Sequence, residues 1–403
     1  MSITCGIDWA QAHHDVALSD EQGQIVARRR IDTGLQGYRE LLGLLAEHSD
    51  DPTSVPIAIE TDKNLLVVAL LHAGFEVYAI NPRAVARYRE RHVQTGKKSD
   101  PGDAAVLAGV LRTDRHLHRP MPQISDAALA VKALARQHQE AIWALHQTPS
   151  RLRSLLGEYY PQALVAFPTL THHAALTVLA AAPTPQHAQR LTRGKIVTLL
   201  HRCGRRNDPA LVDQIHRDLH TQALRQAKPV ETALGAAAAG LIQVLTAMQR
   251  SVEDLDKQLA TVFDEHPLAP ILRSAPGLGP ILAARVLAEV GDDPARFRSA
   301  NGLRAFAGTA PITRASGRSR YVKARTVRNK RLADACHWWA FCALTKSPGA
   351  RALYDRRRAA GDHHNAALRN LAHKLLGRLW WCLHTGQPWD EHAAWPTPTT
   401  AAA

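Results

Sequence analysis

The sequence predicts an α/β domain followed by all-α regions. Three observations carry this. Over the first 110 residues, short apolar runs and helical spacings follow one another in the order β-β-β-α-β-α-β-α. Within 232–263, apolar residues recur at Leu241, Leu245, Met248, Val252, Leu255 and Leu259, the steps of a coiled-coil or bundle seam. Residues 271–384 form a dense, mostly helical segment that opens with a Gly-x-Gly turn.

Taken in order, residues 3–8 are an apolar run ending in an acid. Residues 14–19 and 24–31 are two more strands around the turn-like Asp20-Glu21-Gln22-Gly23, and such tight joins predict an antiparallel meander. Leu41, Leu42, Leu44 and Leu45 place a helix over 37–48. A strand at 55–60, again ending in an acid, precedes a helix at 64–73 and a strand at 76–81. A basic helix follows at 84–91. Ser99-Asp100-Pro101 starts the next helix with a polar cap and a first-turn proline. This order predicts an RNase H-like mixed sheet. Beyond it lie a domain boundary near 120, a helical coiled-coil middle to 268, broken at Pro149, and a mostly helical domain over 269–385. Residues 160–230, rich in His, Arg, Thr and Pro, give no clear pattern. Residues 386–403 are expected to be a flexible tail.

Composition narrows the function. The chain has 403 residues and a net charge of +14, which favours a polyanionic partner, nucleic acid above all. Cys5, Cys203, Cys336, Cys342 and Cys382 are odd in number and form no CxxC pair. A disulfide scaffold or a cysteine zinc ribbon is therefore not expected. Neither a signal peptide nor a membrane span is visible, so a cytoplasmic protein is expected.

Four acids stand out. Asp8 and Glu60 end the first and fourth strands, which lie side by side in an RNase H-like sheet. Asp100 and Asp103, three residues apart, share one face of a later helix. Carboxylates so gathered repel one another unless a cation lies between them, and Mg²⁺ or Mn²⁺ suits hard oxygen donors and phosphoryl transfer. Taken singly, Asp100 reads equally as a helix cap and Asp103 as a dipole-compensating acid. Asp15, Asp20 and Asp62 are secondary candidates.

Eight basic residues and no acid occupy 314–331, around Ser316-Gly317. Arg314, Arg318, Arg320, Lys323 and Arg325 suit DNA phosphates, and Ser316 is placed to attack one. Passive phosphate binding by a solvated loop fits the same residues. Gly277 and Gly279, in SAPGLGP ahead of a helix, form a helix-hairpin-helix-like turn that offers backbone N–H groups to phosphate. Lys97 and Lys98 belong to a second basic stretch beside Asp100. Paired histidines such as His13-His14 point apart and are weak metal ligands. The Trp338-Trp339 and Trp380-Trp381 pairs read as packing residues ahead of base-stacking ones.

The pieces GIDWAQAHHDVALSD, IAIETD, KKSDPGDAAVLA, SAPGLGPILAARVLAEVGD, RFRSANGLRAFAGTAPITRASG and NKRLADACHWWAFCAL, in this order, resemble transposases of the insertion sequence 110 type, a group that includes pilin-gene-inverting recombinases. The resemblance spans about 1–115 and 270–385. It implies a RuvC-like domain with a metal site at Asp8, Glu60, Asp100 and Asp103. It also implies a C-terminal transposase domain with Ser316 as the nucleophile and a 5′-phosphoserine intermediate. Double-stranded donor and target DNA, a noncoding guide RNA and a dimeric or tetrameric assembly are the implied partners. Arg328 stands where a glycine is frequent in that group. Two other readings fit the residues: a RuvC-like resolvase without a covalent serine, and a non-catalytic basic nucleic-acid-binding protein.

Overall fold

The computed structural model describes residues 3–92, 100–205 and 208–396, with the side chains of 91–92 left aside. Lys97 and Lys98 lie outside the described residues. The chain divides into two units, Met1–Gln123 and Ile124–Ala403.

The first unit carries a five-stranded mixed sheet of order β3-β2-β1-β4-β5, with β1 Thr4–Trp9, β2 His13–Ser19, β3 Ile25–Asp32, β4 Ile57–Ile59 and β5 Val77–Ala79. β1–β2 and β2–β3 are antiparallel, whereas β1–β4 and β4–β5 are parallel. Period-2 alternation gives the sheet two covered faces. Cys5, Ile7, Val16 and Leu18 meet α1 (Leu35–Ala46) and α2 (Leu65–His72). Ala58 and Tyr78 meet α3 (Pro82–His92) and α4 (Asp100–Asp114) through Val85, Leu107 and Leu111. The predicted meander, mixed sheet and adjacency of the first and fourth strands are all present.

Among the described residues, the regular structure of the second unit is helical except for one hairpin. α5 (Asp126–Gln147) and α6 (Pro149–Tyr159) meet at Pro149, as expected. Five short helices fill the span that showed no sequence pattern: α7 Pro161–Ala166, α8 His173–Ala181, α9 Pro185–Ala188, α10 Arg193–Arg202 and α11 Pro209–His220. Next come α12 Lys228–Asp264, α13 Ala269–Ser274, α14 Pro280–Val290 and α15 Ala300–Phe306, then the hairpin β6 Ile312–Ser316 and β7 Ser319–Lys323, and finally α16 Lys330–Ala343, α17 Pro348–Ala359, α18 His364–Thr385 and α19 Glu391–Ala394.

Three expectations need correction here. The seam on α12 is filled from within the chain: Ile242 and Leu245 enter one core with Leu152 and Leu179, while Leu259 and Phe263 enter another with Val131 and Leu287. It is a core helix more than a coiled-coil strand. α12 is the one described helix long and apolar enough to cross a membrane by composition, and its place in two cores accounts for that character. Because α5 and α12 serve both cores, no gap in packing falls at 268. Of the expected flexible tail 386–403, residues 386–396 are packed, and 397–403 lie outside the described residues. Trp395 packs so closely on Gly349 that a β-carbon there would sit 2.1 Å from its ring. Trp389 meets the fully buried Trp339 edge-on.

A buried polar clamp fixes the start of α16. Arg136 donates to both oxygens of Glu289 (2.8 and 2.9 Å), and Asn329 Nδ2 adds a third bond at 2.7 Å while its Oδ1 caps α16 at the Leu332 N–H. Burial opposes the charge on Glu289, but these donors prevail and hold its carboxyl below the ordinary value.

Candidate active site

Strand parity places the acids. Gly6 lies against α4: a β-carbon on it would stand 2.1 Å from the Ala104 carbonyl oxygen and 2.4 Å from the Ala108 nitrogen. Two residues earlier, Thr4 Oγ1 donates to the Ala108 carbonyl at 3.1 Å. Two residues later, Asp8 shares that face, toward the turn of α4 that carries Asp100 and Asp103. The Ile7–Ile59 register sets Glu60, one step past β4, beside Asp8. The site therefore depends on a glycine that lets two backbones touch. Gly6→Ala should push α4 away, costing about 3 kcal/mol of stability as an overpacked core does. Thermal unfolding together with a DNA-cleavage assay checks this, with both expected to fall.

Asp8 registers the convergence. Its carboxyl rises from the ordinary 3.8 to about 6, first through burial and then through repulsion by Asp103, Glu60, Asp100 and Asp15. The structure thus brings together the four acids singled out in the sequence and adds two residues. Asp15 is the direct cross-strand partner of Asp8. His13, Asp15 and Asp100 each offer a donor atom within 4.8 Å of the others. Histidines 13 and 14 do point apart, but His13 falls on the acidic face by itself. The tight β1–β2 hairpin held this signal, since pairing across it opposes residues 8 and 15.

Two guanidiniums lie within the cluster. Arg89 Nε donates to Asp103 Oδ1 at 2.6 Å, and Arg30 holds both oxygens of Asp15 at 3.2 and 2.9 Å. A carboxylate bound on one oxygen keeps its other oxygen for a further ligand. This donor set is hard, mostly oxygen, and under like-charge strain at Asp8. It suits an octahedral divalent cation such as Mg²⁺, and the imidazole also admits Mn²⁺.

Ser316 belongs to the second unit, at the tip of the β6–β7 hairpin. The turn has two residues, and Gly317 takes φ +55°, the left-handed value this kind of turn asks of its first residue. The sequence reading placed this serine in a loop; it ends a strand instead. Nearly the whole hairpin is exposed. Pairing puts Ser316 opposite Ser319, Arg314 opposite Tyr321 and Ile312 opposite Lys323, all on one face. Lys323 Nζ lies 4.9 Å from the centre of the Tyr321 ring. Arg320 pairs with Ala315 on the other face, so the pleat separates it from the serine. Arg318 occupies the turn, and Arg325, past the strand, turns back to the Ala310 carbonyl at 3.4 Å. Of the five phosphate ligands predicted around the serine, Arg314 and Lys323 share its face and Arg318 adjoins it.

Gly277 and Gly279 form the turn between α13 and α14. Gly277 has φ +82°, and a β-carbon there would stand 2.6 Å from the Ala343 nitrogen, so packing already requires this glycine. Gly279 caps α14 with open space around it. A cavity of about 780 Å³ adjoins the turn, with Arg273, Lys346 and Arg351 in its wall. The tryptophan pairs divide: Trp339 is fully buried, while Trp338 and Trp381 are exposed.

Comparison with known proteins finds two matching family profiles. One, described as a transposase family of the DEDD, IS110 type, covers residues 5–161, and the other, described as the transposase IS116/IS110/IS902 family, covers 269–355. The chain is 48% identical to the Streptomyces coelicolor protein named "Mini-circle putative transposase for IS117", over 100% of this chain and 99% of the relative. It is 31% identical to an IS110 protein of 43.6 kDa from the same organism, over 96% and 95%, and 28% identical to an IS900 protein of 42 kDa from Mycobacterium paratuberculosis, over 100% and 99%.

Proposed function

Because the chain belongs to the IS110/IS116 family of insertion-sequence transposases, we propose that it cuts and rejoins DNA through a 5′-phosphoserine bond at Ser316. Asp8, Glu60, Asp100 and Asp103 would hold the Mg²⁺ or Mn²⁺ that assists, with Asp15 and His13 beside them. The observation that carries the covalent reading is an exposed serine at the tip of a hairpin that has basic residues on both faces and no acid.

The cation, when bound, supplies charge stabilisation to phosphate oxygens. The chain's own groups do the rest. Ser316 Oγ attacks phosphorus, the bond from phosphorus to the 3′ oxygen breaks, and the departing strand keeps a 3′ hydroxyl. The serine loses its proton as that hydroxyl gains one. Arg314, Arg318 and Lys323 hold the non-bridging oxygens as negative charge builds on them. The phosphoserine ester keeps the energy of the broken bond, so a 3′ hydroxyl from another strand can reverse the step without ATP.

Face selects among the arginines. Arg314→Ala should slow formation of the protein–DNA adduct by about a hundredfold, the usual effect of losing one transition-state donor. Arg320→Ala should slow it only a few-fold. A quench-flow adduct assay distinguishes them, and equal effects would contradict a serine-centred site.

Site choice is assigned to a noncoding RNA encoded beside the gene, which pairs with donor and target. The +14 charge suits RNA as well as DNA. Residues 121–268 are the region proposed for RNA contact, a dimer or tetramer is the proposed assembly, and Gly277, Gly279, Lys97 and Lys98 are further proposed phosphate contacts. Ribonuclease treatment of protein purified with its element should abolish site-specific cleavage and spare general DNA binding. Site-specific cutting that survives digestion would remove the RNA from the scheme.

A further inference from the structure

A cavity of about 680 Å³ opens at the root of the serine hairpin, within the range of sites that enclose small ligands. Its lining has two characters. The floor is apolar and deeply buried, with Ala307, Cys336 and Ala372, and Trp143 stands in the wall. The rim is cationic, with Arg325, Arg328 and Arg369, and Asn365 offers an exposed amide. The acid in the lining, Asp334, is bound by Arg285 and Gln139. Arg328 folds across Gly308, where a β-carbon would come within 2.2 Å of its Cδ. Arg328 and Arg369 make no side-chain hydrogen bond among the described residues, and the charge of Arg369 also acts on Asp362.

A cationic rim by itself would suit the backbone of a duplex passing over the surface. Such a duplex has no use for an apolar floor beneath the rim. A floor of small apolar groups beside an indole suits the flat face of a base, and a base reaches such a place only after leaving its stack. We infer that this cavity holds one unstacked nucleotide of the DNA strand that the hairpin serine cuts. Its phosphates lie on Arg325, Arg328 and Arg369, its base lies on the floor beside Trp143, and Asn365 faces the base edge.

The hairpin sets the spacing. β7 ends at Lys323, immediately before Ala324 and Arg325 of the cavity lining, and Ser316 is at the opposite end. A five-residue strand spans about 15 Å, or about four steps of a stacked DNA strand. The held nucleotide is therefore about four positions from the cut phosphate. This inference rests on the hairpin being the cutting element.

The test compares binding in a Ser316→Ala background, where no adduct can form at that residue. The probes are a short fluorescein-labelled deoxyoligonucleotide single strand and the duplex of the same sequence, measured by anisotropy. Arg369→Ala should weaken the single strand about tenfold, the worth of one charge-assisted contact, and the duplex by less than about threefold. Asn365→Asp, an exposed change that carries little folding risk, should do the same by placing a carboxylate at the rim. A single strand bearing 5-iododeoxyuridine should photocrosslink to Trp143. Equal losses for single strand and duplex, no loss with either variant, or a crosslink only outside the cavity would overturn the assignment. Since every protein compared lacks Ser316, this outcome is separate from the question of the nucleophile. Adduct formation in the parent could succeed while the cavity assignment fails, and the reverse holds as well.

Discussion

Replacing Ser316 with alanine should remove every covalent protein–DNA adduct and all strand exchange, while DNA binding stays within a few-fold of the parent. Loss of a nucleophile costs about 10⁶-fold in rate where it has been measured in hydrolases that form covalent intermediates. The drop here should reach the assay floor. The fold should survive, because the side chain lies exposed at a hairpin tip and makes no hydrogen bond among the described residues. Denaturing gel electrophoresis of protein mixed with labelled DNA checks the adduct, and a joining assay checks exchange. Cutting that persists without an adduct would favour a resolvase-type nuclease, in which the acids act alone and Ser316 only touches phosphate.

Asp8→Asn should have opposite effects on activity and on stability. Activity should fall by about a thousandfold or more, because the substitution would remove a central charged ligand from the proposed metal site. The metal-free protein should become more stable at neutral pH, by about 2 kcal/mol once solvent screening of this half-buried carboxyl is allowed for. The sign follows from the raised carboxyl of Asp8. Its value in the fold is about 6, against an ordinary 3.8, so the folded state holds the proton more tightly. The cost of the charge is absent below about pH 4, grows as pH rises to 6, and persists above. The variant's advantage should follow that window and vanish in acid. Millimolar Mg²⁺ should stabilise the parent more than the variant, since only the parent keeps the full donor set. Thermal melts across pH, with EDTA and with Mg²⁺, report both effects. A variant less stable than the parent at pH 7.5 in EDTA would mean that burial and the neighbouring carboxylates do not penalise the charge on Asp8.

The acidic half of the site was legible because buried strands leave a periodic apolar trace. Ile3, Cys5 and Ile7 alternate up to Asp8, and the run 57–59 stops at Glu60. Asp15 bears no such mark, because its importance comes from pairing with Asp8, not from a place at a strand end. The hairpin that carries Ser316 left no such trace. Its ten strand residues are nearly all exposed, so no apolar alternation exists to be read, and only Gly317 marks the turn. The helices of 160–230 were hidden by their own start signals. Pro161, Pro185 and Pro209 occupy first turns, and Thr184, Thr192 and Asp208 cap the helices that follow them. Residues that suggested a loop were helix starts spaced too closely for any period to show. The seam on α12 was real, but spacing cannot tell a partner chain from the same chain, and α5, α6 and α8 fill it.

The most direct test of serine chemistry is the identity of the attached residue. Protein stalled on DNA should be denatured, digested with protease and nuclease, and its nucleotide-bearing peptide sequenced by mass spectrometry. The predicted product is a phosphoserine ester on the peptide containing Ser316. The instructive competitor is Tyr321, which is exposed on the same hairpin face opposite Arg314. A nucleotide on Tyr321, or on any residue other than Ser316, would contradict serine attack and keep only the metal site and the family.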